Sequence, residues 1–325
     1  MLIPDYWEEA RRVVRRPDGR QRTIRRWGWS LESPEAARQH ADQRVAEAAE
    51  RFLNGDDVPG RIARKAYGDG ETPIREEIIA RFDRHVLTRN LYGATCLNTP
   101  DAAFADIDIP EPPGCVVGVC VALSASAAGV AAGIWMEVPL EVGALMILTV
   151  LPAALIGFAA AVITDRIVGD PSDRARGRVE AFAAGHPDWT IRLYETPNGF
   201  RTLVTHRPLQ PNSQEVDDMF KAFGTDPMYA KLCRRQKCFR ARLTPKPWRM
   251  GIEKPLRPRR GVYPFDADYE DHRRHWQKEY DDRATEYAAC RLVGVLGDDL
   301  VHPDLESLVR LHDKCCGADT DLPIA

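Results

Sequence analysis

Residues 114–135 have the sequence GCVVGVCVALSASAAGVAAGIW, and after a linker of four residues the stretch 140–164 has the sequence LEVGALMILTVLPAALIGFAAAVIT. The first run has no charged side chain, and the second has one, Glu141, near its start. Each run is long enough to cross roughly 30 Å of hydrocarbon as a helix, and neither has the polar stripe of a helix at a protein surface. The pair predicts a transmembrane helical hairpin over 114–164; the alternative is a helical hairpin buried in a soluble core.

The charges around this hairpin predict its orientation. The linker has no Lys or Arg, whereas four arginines follow the second run between residues 166 and 178. Positive charge collects on the cytoplasmic side of a membrane, and a hairpin returns the chain to the side from which it left. We therefore expect a multi-pass protein of the cell inner membrane, in contact with the lipid bilayer, with both termini cytoplasmic. The cytosolic parts 1–113 and 165–325 would then fold together.

The overall composition points to no strongly charged partner, because 45 Lys and Arg stand against 48 Asp and Glu in 325 residues. One local exception is the stretch from Arg11 to Arg26, which contains eight arginines. It is expected to contact anionic lipid headgroups or nucleic acid; the alternative is a solvated charged arm. The eight cysteines show no zinc-type spacing and are expected to be reduced cytosolic thiols. The N-terminus does not resemble a secretory signal.

The flanks of the apolar block predict an α+β fold. Helices are predicted from Ser33 to Gly55 and over 73–82, 176–188, 213–223, 226–234, 269–293 and 304–311. Strands are predicted over 85–90, 94–99, 102–110, 190–196, 200–206 and 238–244. Turn residues at Gly93 and at Asn198-Gly199 favour two hairpins. This order predicts an antiparallel or mixed sheet with helices on one face, interrupted by the transmembrane hairpin.

The stretch Phe104-Ala105-Asp106-Ile107-Asp108 carries the clearest chemical signal. Residues two apart on a strand point to the same face, so the carboxylates of Asp106 and Asp108 are expected to project together. Two carboxylates on one face repel each other unless a cation lies between them, and Mg²⁺ or Mn²⁺ prefers such oxygen ligands. The pair is a candidate metal site; the alternative is two solvated or capping aspartates at a strand end.

Two basic segments are candidate phosphate sites. The hairpin 195–206 contains Arg201, which can bind a phosphate with two hydrogen bonds, and ends in His206, a candidate base or phosphate contact. In the segment 238–249, Arg240 and Arg242 alternate along a predicted strand next to aromatic residues, a pattern that suits an anion or nucleic-acid surface. A plain surface hairpin, or lipid headgroup binding, is the alternative for these segments.

The order of these motifs resembles the archaeo-eukaryotic primase superfamily. FADID at 104–108 is similar to the aspartate-bearing strand of that superfamily, and ETPNGFRTLVTH at 195–206 looks like its phosphate-contacting hairpin. The resemblance implies metal on Asp106 and Asp108 and phosphate on Arg201 or His206. A third aspartate strand is not evident, and the apolar block separates the two motifs. A second resemblance, to uncharacterised bacterial two-helix membrane proteins, rests on TRNLYGATCLNT and FRARLTPKPWR and implies no function.

Together these observations predict a membrane-anchored protein whose cytosolic domain binds a divalent metal and a phosphate-bearing ligand such as a nucleotide. Phosphoryl or nucleotidyl transfer is the reaction that would suit such a site, with Arg201, Arg240 and Arg242 stabilising charge. The alternative is a non-catalytic membrane-anchored scaffold or binding module.

Overall fold

A computed structural model describes residues 1–62, 73–109, 170–258 and 263–325, and these form an α+β fold with antiparallel sheets. The strands are β1 Tyr6–Arg15, β2 Gln21–Ser30, β3 Glu77–Phe82, β4 His85–Arg89, β5 Thr95–Thr99, β6 Phe104–Asp108, β7 Ile191–Thr196, β8 Gly199–Val204, β9 Phe239–Arg242 and β10 Arg291–Leu296. The helices are α1 Pro34–Leu53, α2 Pro171–Gly185, α3 Gln214–Phe223, α4 Pro227–Gln236, α5 Glu270–Ala284 and α6 Pro303–Cys316.

The membrane prediction is contradicted. Across the described ranges, no helix combines the length and the apolar character that crossing a bilayer requires. The longest described helix, α1, carries charged side chains along its whole length. The hairpin predicted at 114–164 lies outside the described residues. That prediction rested on run length and missing charge, yet more than half of 114–135 is Gly, Ala or Ser, which gain little from leaving water. The predictions of a bilayer partner, an inner-membrane localisation and a membrane anchor are contradicted by the same finding.

The basic stretch near the N-terminus belongs to a hairpin. Strands β1 and β2 pair from Tyr6↔Ser30 to Arg15↔Gln21, and α1 packs across them. Gly28 is needed for this packing, because a Cβ there would lie 2.2 Å from the backbone nitrogen of Ala41. The α1 helix begins as predicted, with the Ser33 side chain accepting from the amide of Ala36. Three of the arginines donate to backbone carbonyls in the last turn of α1 and in the loop that follows it, so they stabilise this unit.

Two four-stranded sheets form the rest of the described fold, in the orders β10-β7-β8-β6 and β3-β4-β5-β9. The largest core cluster spans both sheets and includes Phe104, Leu203 and Phe239, all fully buried. Tyr229 on α4 links the sheets, since its hydroxyl donates to the carbonyl of Phe104 and accepts from the amide of Arg240. Strands β6 and β9 therefore lie side by side where the two sheets meet.

Two secondary-structure predictions were wrong because strand pairing outweighed helix propensity. Residues 73–82 were predicted as a helix, but Glu77–Phe82 is a strand paired with β4. The helix predicted over 269–293 ends at Ala284, and Arg291–Leu296 becomes an edge strand on β7. The hairpins at Gly93 and at Asn198-Gly199, the strand at 104–108 and the helix beginning at Ser213 are confirmed.

Candidate functional site

The two aspartates of the sequence motif lie on one face of β6, at its pairing with β8. In this ladder Asp106 is opposite Arg201, and Asp108 is opposite Gly199. Gly199 has φ +143°, and a Cβ there would lie 2.1 Å from the carbonyl oxygen of Ile107, so the close approach of the two strands beside Asp108 depends on glycine. The short turn before β8 thus sets the position of the second carboxylate.

A small polar pocket opens beside this pair, with a volume of about 50 Å³. Its lining consists of Asp106, Asp108, Thr196, Asn198, Phe200, Arg201, Arg242, Lys246 and Arg249. Of the six residues predicted from the sequence to bind metal or phosphate, four therefore lie together here: Asp106, Asp108, Arg201 and Arg242. Lys246 and Arg249 belong to the basic segment 238–249, but they were not predicted individually as ligands. Arg249 donates to Asn198 Oδ1 over 2.6 Å, which holds the loop after β9 against the β7–β8 turn.

Like charges are crowded on both sides of this pocket. Burial raises the pKa of Asp108, and the neighbouring Asp106 and Asp226 raise it further. Burial lowers the pKa of Lys246, and Arg242 and Arg249 lower it further. Burial is the largest cause for each group and neighbours of the same sign add to it, while the opposite charges across the pocket offset part of each shift. Perturbations of this kind are typical of ligand sites.

Arg201 occupies the interior end of the pocket. Its side chain is only 3% exposed, against 34% for Asp106. Its Nε donates to Asp106 Oδ1 over 3.0 Å, and its Nη1 donates to the carbonyl oxygen of Arg242 over 2.7 Å. Burial by itself lowers the pKa of Arg201, but Asp106 and the nearby thiols of Cys290 and Cys316 raise it by more. Arg201 is therefore a fixed cation that joins β6, β8 and β9.

The remaining two predicted residues lie away from the pocket. The ring of His206 packs on Trp189 with centroids 4.9 Å apart, and burial lowers its pKa. Arg240 forms an ion pair with the buried carboxylate of Glu76, which also accepts from Thr88 Oγ1 over 2.7 Å. Arg240 and Arg242 lie two residues apart on β9 as predicted, but the side chain of Arg240 pairs with Glu76, and of the two arginines Arg242 lines the pocket.

A larger apolar groove of about 630 Å³ adjoins the polar pocket. It is lined by Leu91, Tyr92, Pro247, Trp248, Ile252, Glu253, Pro255, Leu256 and Trp276. The two cavities share one segment of chain, because Lys246 and Arg249 line the pocket while Pro247 and Trp248 between them line the groove. Trp248 is 58% exposed, and its ring lies 5.3 Å from that of Tyr92.

Behind Arg201 lies a buried cluster that sequence analysis missed, formed by Cys290, His312 and Cys316. The potential ligand atoms of these three residues all lie within 4.8 Å of one another, and each residue is at most 1% exposed. Hydrogen bonds from Cys316 and His312 lower the pKa of the Cys290 thiol. A signal existed in the sequence, because His312 and Cys316 stand at i and i+4, on one face of a helix, but the predicted helix ended at Leu311.

Within the described ranges, this cluster is the one group of three such side chains close enough to share a metal ion. Asp106 and Asp108 supply carboxylate oxygens of a different kind, on the pocket side of Arg201. No family model, curated protein or solved structure matches the chain. The resemblances to the primase superfamily and to two-helix membrane proteins therefore stay expectations.

Proposed function

We propose that the polar pocket and the adjoining groove bind a nucleotide together with a divalent cation. The phosphates would lie among Arg242, Lys246 and Arg249, the cation (Mg²⁺ or Mn²⁺) on Asp106 and Asp108, and the base against Trp248. The observation that carries this proposal is the sharing of the Lys246–Arg249 segment by a charged pocket and an aromatic groove.

Charge supports a phosphate-bearing ligand. The lining contains four cationic and two acidic side chains, a formal charge of +2. Asp106 is already paired with Arg201, so Asp108 is the remaining acid beside Arg242, Lys246 and Arg249, and the pocket keeps a net positive charge. Arg242 Nε is buried and has no hydrogen-bond partner among the described residues. A buried donor without a partner costs free energy, and a phosphate oxygen would satisfy it with a strong charge-assisted bond.

Two carboxylates beside three cations also suit a metal-bound phosphate. A free phosphate would be repelled by Asp106 and Asp108, whereas a divalent cation between carboxylates and phosphate makes both contacts favourable. A cation would also offset the repulsion from Asp106 and Asp226 that helps to raise the pKa of Asp108. The pocket volume of about 50 Å³ has room for a phosphate group and not for a whole nucleotide, so the base needs the groove.

The aromatic side chains of the groove support the proposal that a nucleobase binds there. A nucleobase stacks on an exposed aromatic ring with about 1–3 kcal/mol, and Trp248 combines exposure with a neighbouring Tyr92 ring. Arg242 also lies close to the Tyr92 hydroxyl, where it offsets part of the rise that burial causes in the Tyr92 pKa, so one arginine is near both cavities. Phosphoryl or nucleotidyl transfer is the reaction class that we propose for this site, with the cation and the three basic side chains stabilising the charge that develops.

The test is ligand-dependent thermal stabilisation of the full chain. We expect ATP with Mg²⁺ or Mn²⁺ to raise the melting temperature more than the metal, ATP or inorganic triphosphate alone. Asp108→Asn should remove the metal dependence, and Arg242→Met should weaken all phosphate ligands. Arg310→Met, at an exposed ion pair with Glu306, is the matched control and should bind as wild type.

A second comparison separates the base from the phosphates. Trp248→Ala should weaken ATP binding by about tenfold or more and leave the binding of inorganic triphosphate with Mg²⁺ unchanged. Equal losses for both ligands would contradict the stacking role. Absence of stabilisation by any nucleotide with either metal would refute the proposal and favour a non-catalytic binding module.

A further inference from the structure

We propose that Cys290, His312 and Cys316 form a binding site for a thiophilic divalent cation of the Zn²⁺ type. This site is distinct from the carboxylate site of the proposed function and does not rest on it. The proposal stands on the geometry, burial and hydrogen bonding of the three side chains.

The spacing of the three ligand atoms fits a zinc ion. Zn²⁺ binds thiolate sulfur at about 2.3 Å and imidazole nitrogen at about 2.0–2.1 Å in a tetrahedral arrangement, which separates ligand atoms by roughly 3–4 Å. The observed upper limit of 4.8 Å needs only a small side-chain contraction. The cluster therefore supplies three of the four positions of a tetrahedral ion, leaving one for a water molecule.

The orientation of His312 is that of a metal ligand. Its Nδ1 lies 2.9 Å from Asp313 Oδ1, and since an ionised carboxylate only accepts, Nδ1 carries the proton. In the neutral ring the other nitrogen, Nε2, then presents a buried lone pair inside the cluster, where His312 interacts with the Cys290 thiol. A histidine that donates from one nitrogen to a carboxylate and turns the other towards thiol ligands is the usual arrangement behind a bound metal.

The carboxylate that orients His312 is itself held in place. Tyr194 donates to Asp313 Oδ1 over 2.8 Å, and Arg192 Nη2 donates to Asp313 Oδ2 over 2.9 Å. Both residues come from β7, so α6 is tied to the sheet on the side where the two cysteines meet. Such supporting contacts commonly fix the ring orientation of a ligand histidine, and a purely apolar core would not need them.

Charge and ligand type select the ion. Two thiolates balance the charge of a divalent cation, and soft sulfur ligands with imidazole prefer Zn²⁺ over Mg²⁺ or Ca²⁺. The adjacent Arg201 is compensated by Asp106. Because Cys290 directly precedes β10 and the other two ligands end α6, the ion would fix the end of the last helix to the edge of the sheet. The rival arrangements are a thiol–imidazole cluster held by hydrogen bonds alone and a Cys290–Cys316 disulfide.

The first measurement is the metal content of the reduced full-length protein, purified without chelators. We expect about one zinc ion per chain, lost in Cys290→Ser and in Cys316→Ser. Cys315→Ser is the matched control, because Cys315 is the exposed neighbour of Cys316 and should leave zinc content unchanged. Less than about a tenth of an equivalent in the wild type, or equal metal in all four proteins, would overturn the proposal.

A second measurement does not depend on the folding of the Cys290→Ser or Cys316→Ser variants. Wild-type protein stripped with a chelator should melt at a lower temperature and recover on adding Zn²⁺ but not Mg²⁺. Cobalt added to the stripped, reduced protein should produce thiolate-to-cobalt charge-transfer absorption that saturates at one equivalent, in the wild type and in Cys315→Ser alike. Absence of this absorption, with an unchanged melting temperature after stripping, would refute the metal site in favour of the bare cluster or the disulfide.

Discussion

Arg201 donates a hydrogen bond from Nε to Asp106 Oδ1 across adjacent strands, with the two atoms 3.0 Å apart. The two residues are direct partners in the β6–β8 ladder, so the sheet register brings the pair together. The carboxylate is exposed to the polar pocket on one side, and the guanidinium is buried against the Cys290–His312–Cys316 cluster on the other. This ion pair separates the two candidate sites.

Removing the buried partner of this pair should destabilise the fold. Arg201→Met loses the bonds to Asp106 and to the carbonyl oxygen of Arg242 and leaves a carboxylate with reduced solvation. Breaking a fully buried pair costs about 3–5 kcal/mol. Because Asp106 is one-third exposed, we expect a decrease of about 2–3 kcal/mol in the free energy of unfolding, measured by urea denaturation.

The control for Arg201 is Arg310→Met, which removes the exposed i, i+4 pair with Glu306. Exposed pairs of this kind contribute about 0.3–0.5 kcal/mol. If the two variants lost similar amounts of stability, the buried Arg201 side chain would not stabilise the fold as proposed. Other contacts would then have to hold the residues of the pocket in place.

Gly199 should not tolerate a side chain. Its φ of +143° and the 2.1 Å distance from an added Cβ to the Ile107 carbonyl oxygen mean that alanine must displace the end of β6, where Asp108 lies. Strained backbone of this type costs about 1–3 kcal/mol. We expect Gly199→Ala to lower the free energy of unfolding by about 2 kcal/mol and to weaken metal-dependent ATP binding.

Gly177→Ala is the matched comparison for Gly199. Gly177 lies within α2 and has no atom within 4 Å of an added Cβ, so alanine should raise the free energy of unfolding by about 0.5–1 kcal/mol through its helix propensity. We expect the free energy of unfolding to fall in Gly199→Ala and to rise in Gly177→Ala, measured by denaturation under the same conditions. A neutral effect at Gly199 would show that the strand end adapts freely.

His206 should make the protein less stable in acid. Burial lowers its pKa and Arg207 lowers it further, while Asp188 and Glu215 oppose this shift. The unfolded chain therefore takes up a proton first as pH falls below about 6.5. The stabilisation is complete above that pH and is lost as pH drops towards the lowered folded-state value. His206→Phe keeps a ring against Trp189 and should reduce the slope of unfolding free energy between about pH 7 and pH 5.

Part of the pH dependence of the unfolding free energy should persist in His206→Phe, because burial also lowers the pKa of His85. Binding of ATP with Mg²⁺ should be unchanged in the variant, since His206 packs on Trp189 and does not line the pocket. A variant with the full wild-type slope, or with lost ligand binding, would contradict this assignment of His206.

Local patterns predicted local features of the site well. The alternation in 104–108 placed Asp106 and Asp108 on one face, and the Asn198-Gly199 turn placed the β7–β8 hairpin correctly. Pairing between distant segments was not predictable from these patterns. Nothing in the hairpin sequence sets Arg201 opposite Asp106, or sends Arg240 to Glu76 and Arg242 to the pocket, because both depend on which strands become neighbours.

Two larger errors had different physical causes. The membrane prediction rested on the length of two apolar runs and their lack of charge. These patterns do not show what surrounds such a run in the folded protein. The cysteine cluster was overlooked because Cys290 and Cys316 are distant in sequence and a helix boundary was placed five residues early, at Leu311 instead of Cys316. Helix ends are the least certain feature of a sequence pattern, and here the missing turn carried two of the three cluster residues.

Arg75 should contribute to the attachment of the N-terminal hairpin to the second sheet, beside the contacts of Arg81 with Ile3 and Asp5. The guanidinium of Arg75 lies 3.7 Å from the ring centroid of Trp27 and 4.9 Å from that of Trp7, and its Nε donates to the carbonyl oxygen of Tyr263. A planar guanidinium stacks on aromatic rings in a way that an ammonium group does not. Arg75→Lys keeps the charge but should lose about 1–2 kcal/mol of stacking.

This loss should be local. Hydrogen exchange is expected to accelerate in β1, β2 and α1 and to remain unchanged in β7 and β8, because the two rings stacked on the guanidinium, Trp7 and Trp27, belong to β1 and β2. Arg38→Lys, at an exposed pair with Asp42 on α1, is the matched control and should leave exchange unaltered. Uniform acceleration across the chain would instead mean that the hairpin unit and the two sheets unfold as one cooperative body, with Arg75 contributing to all of it.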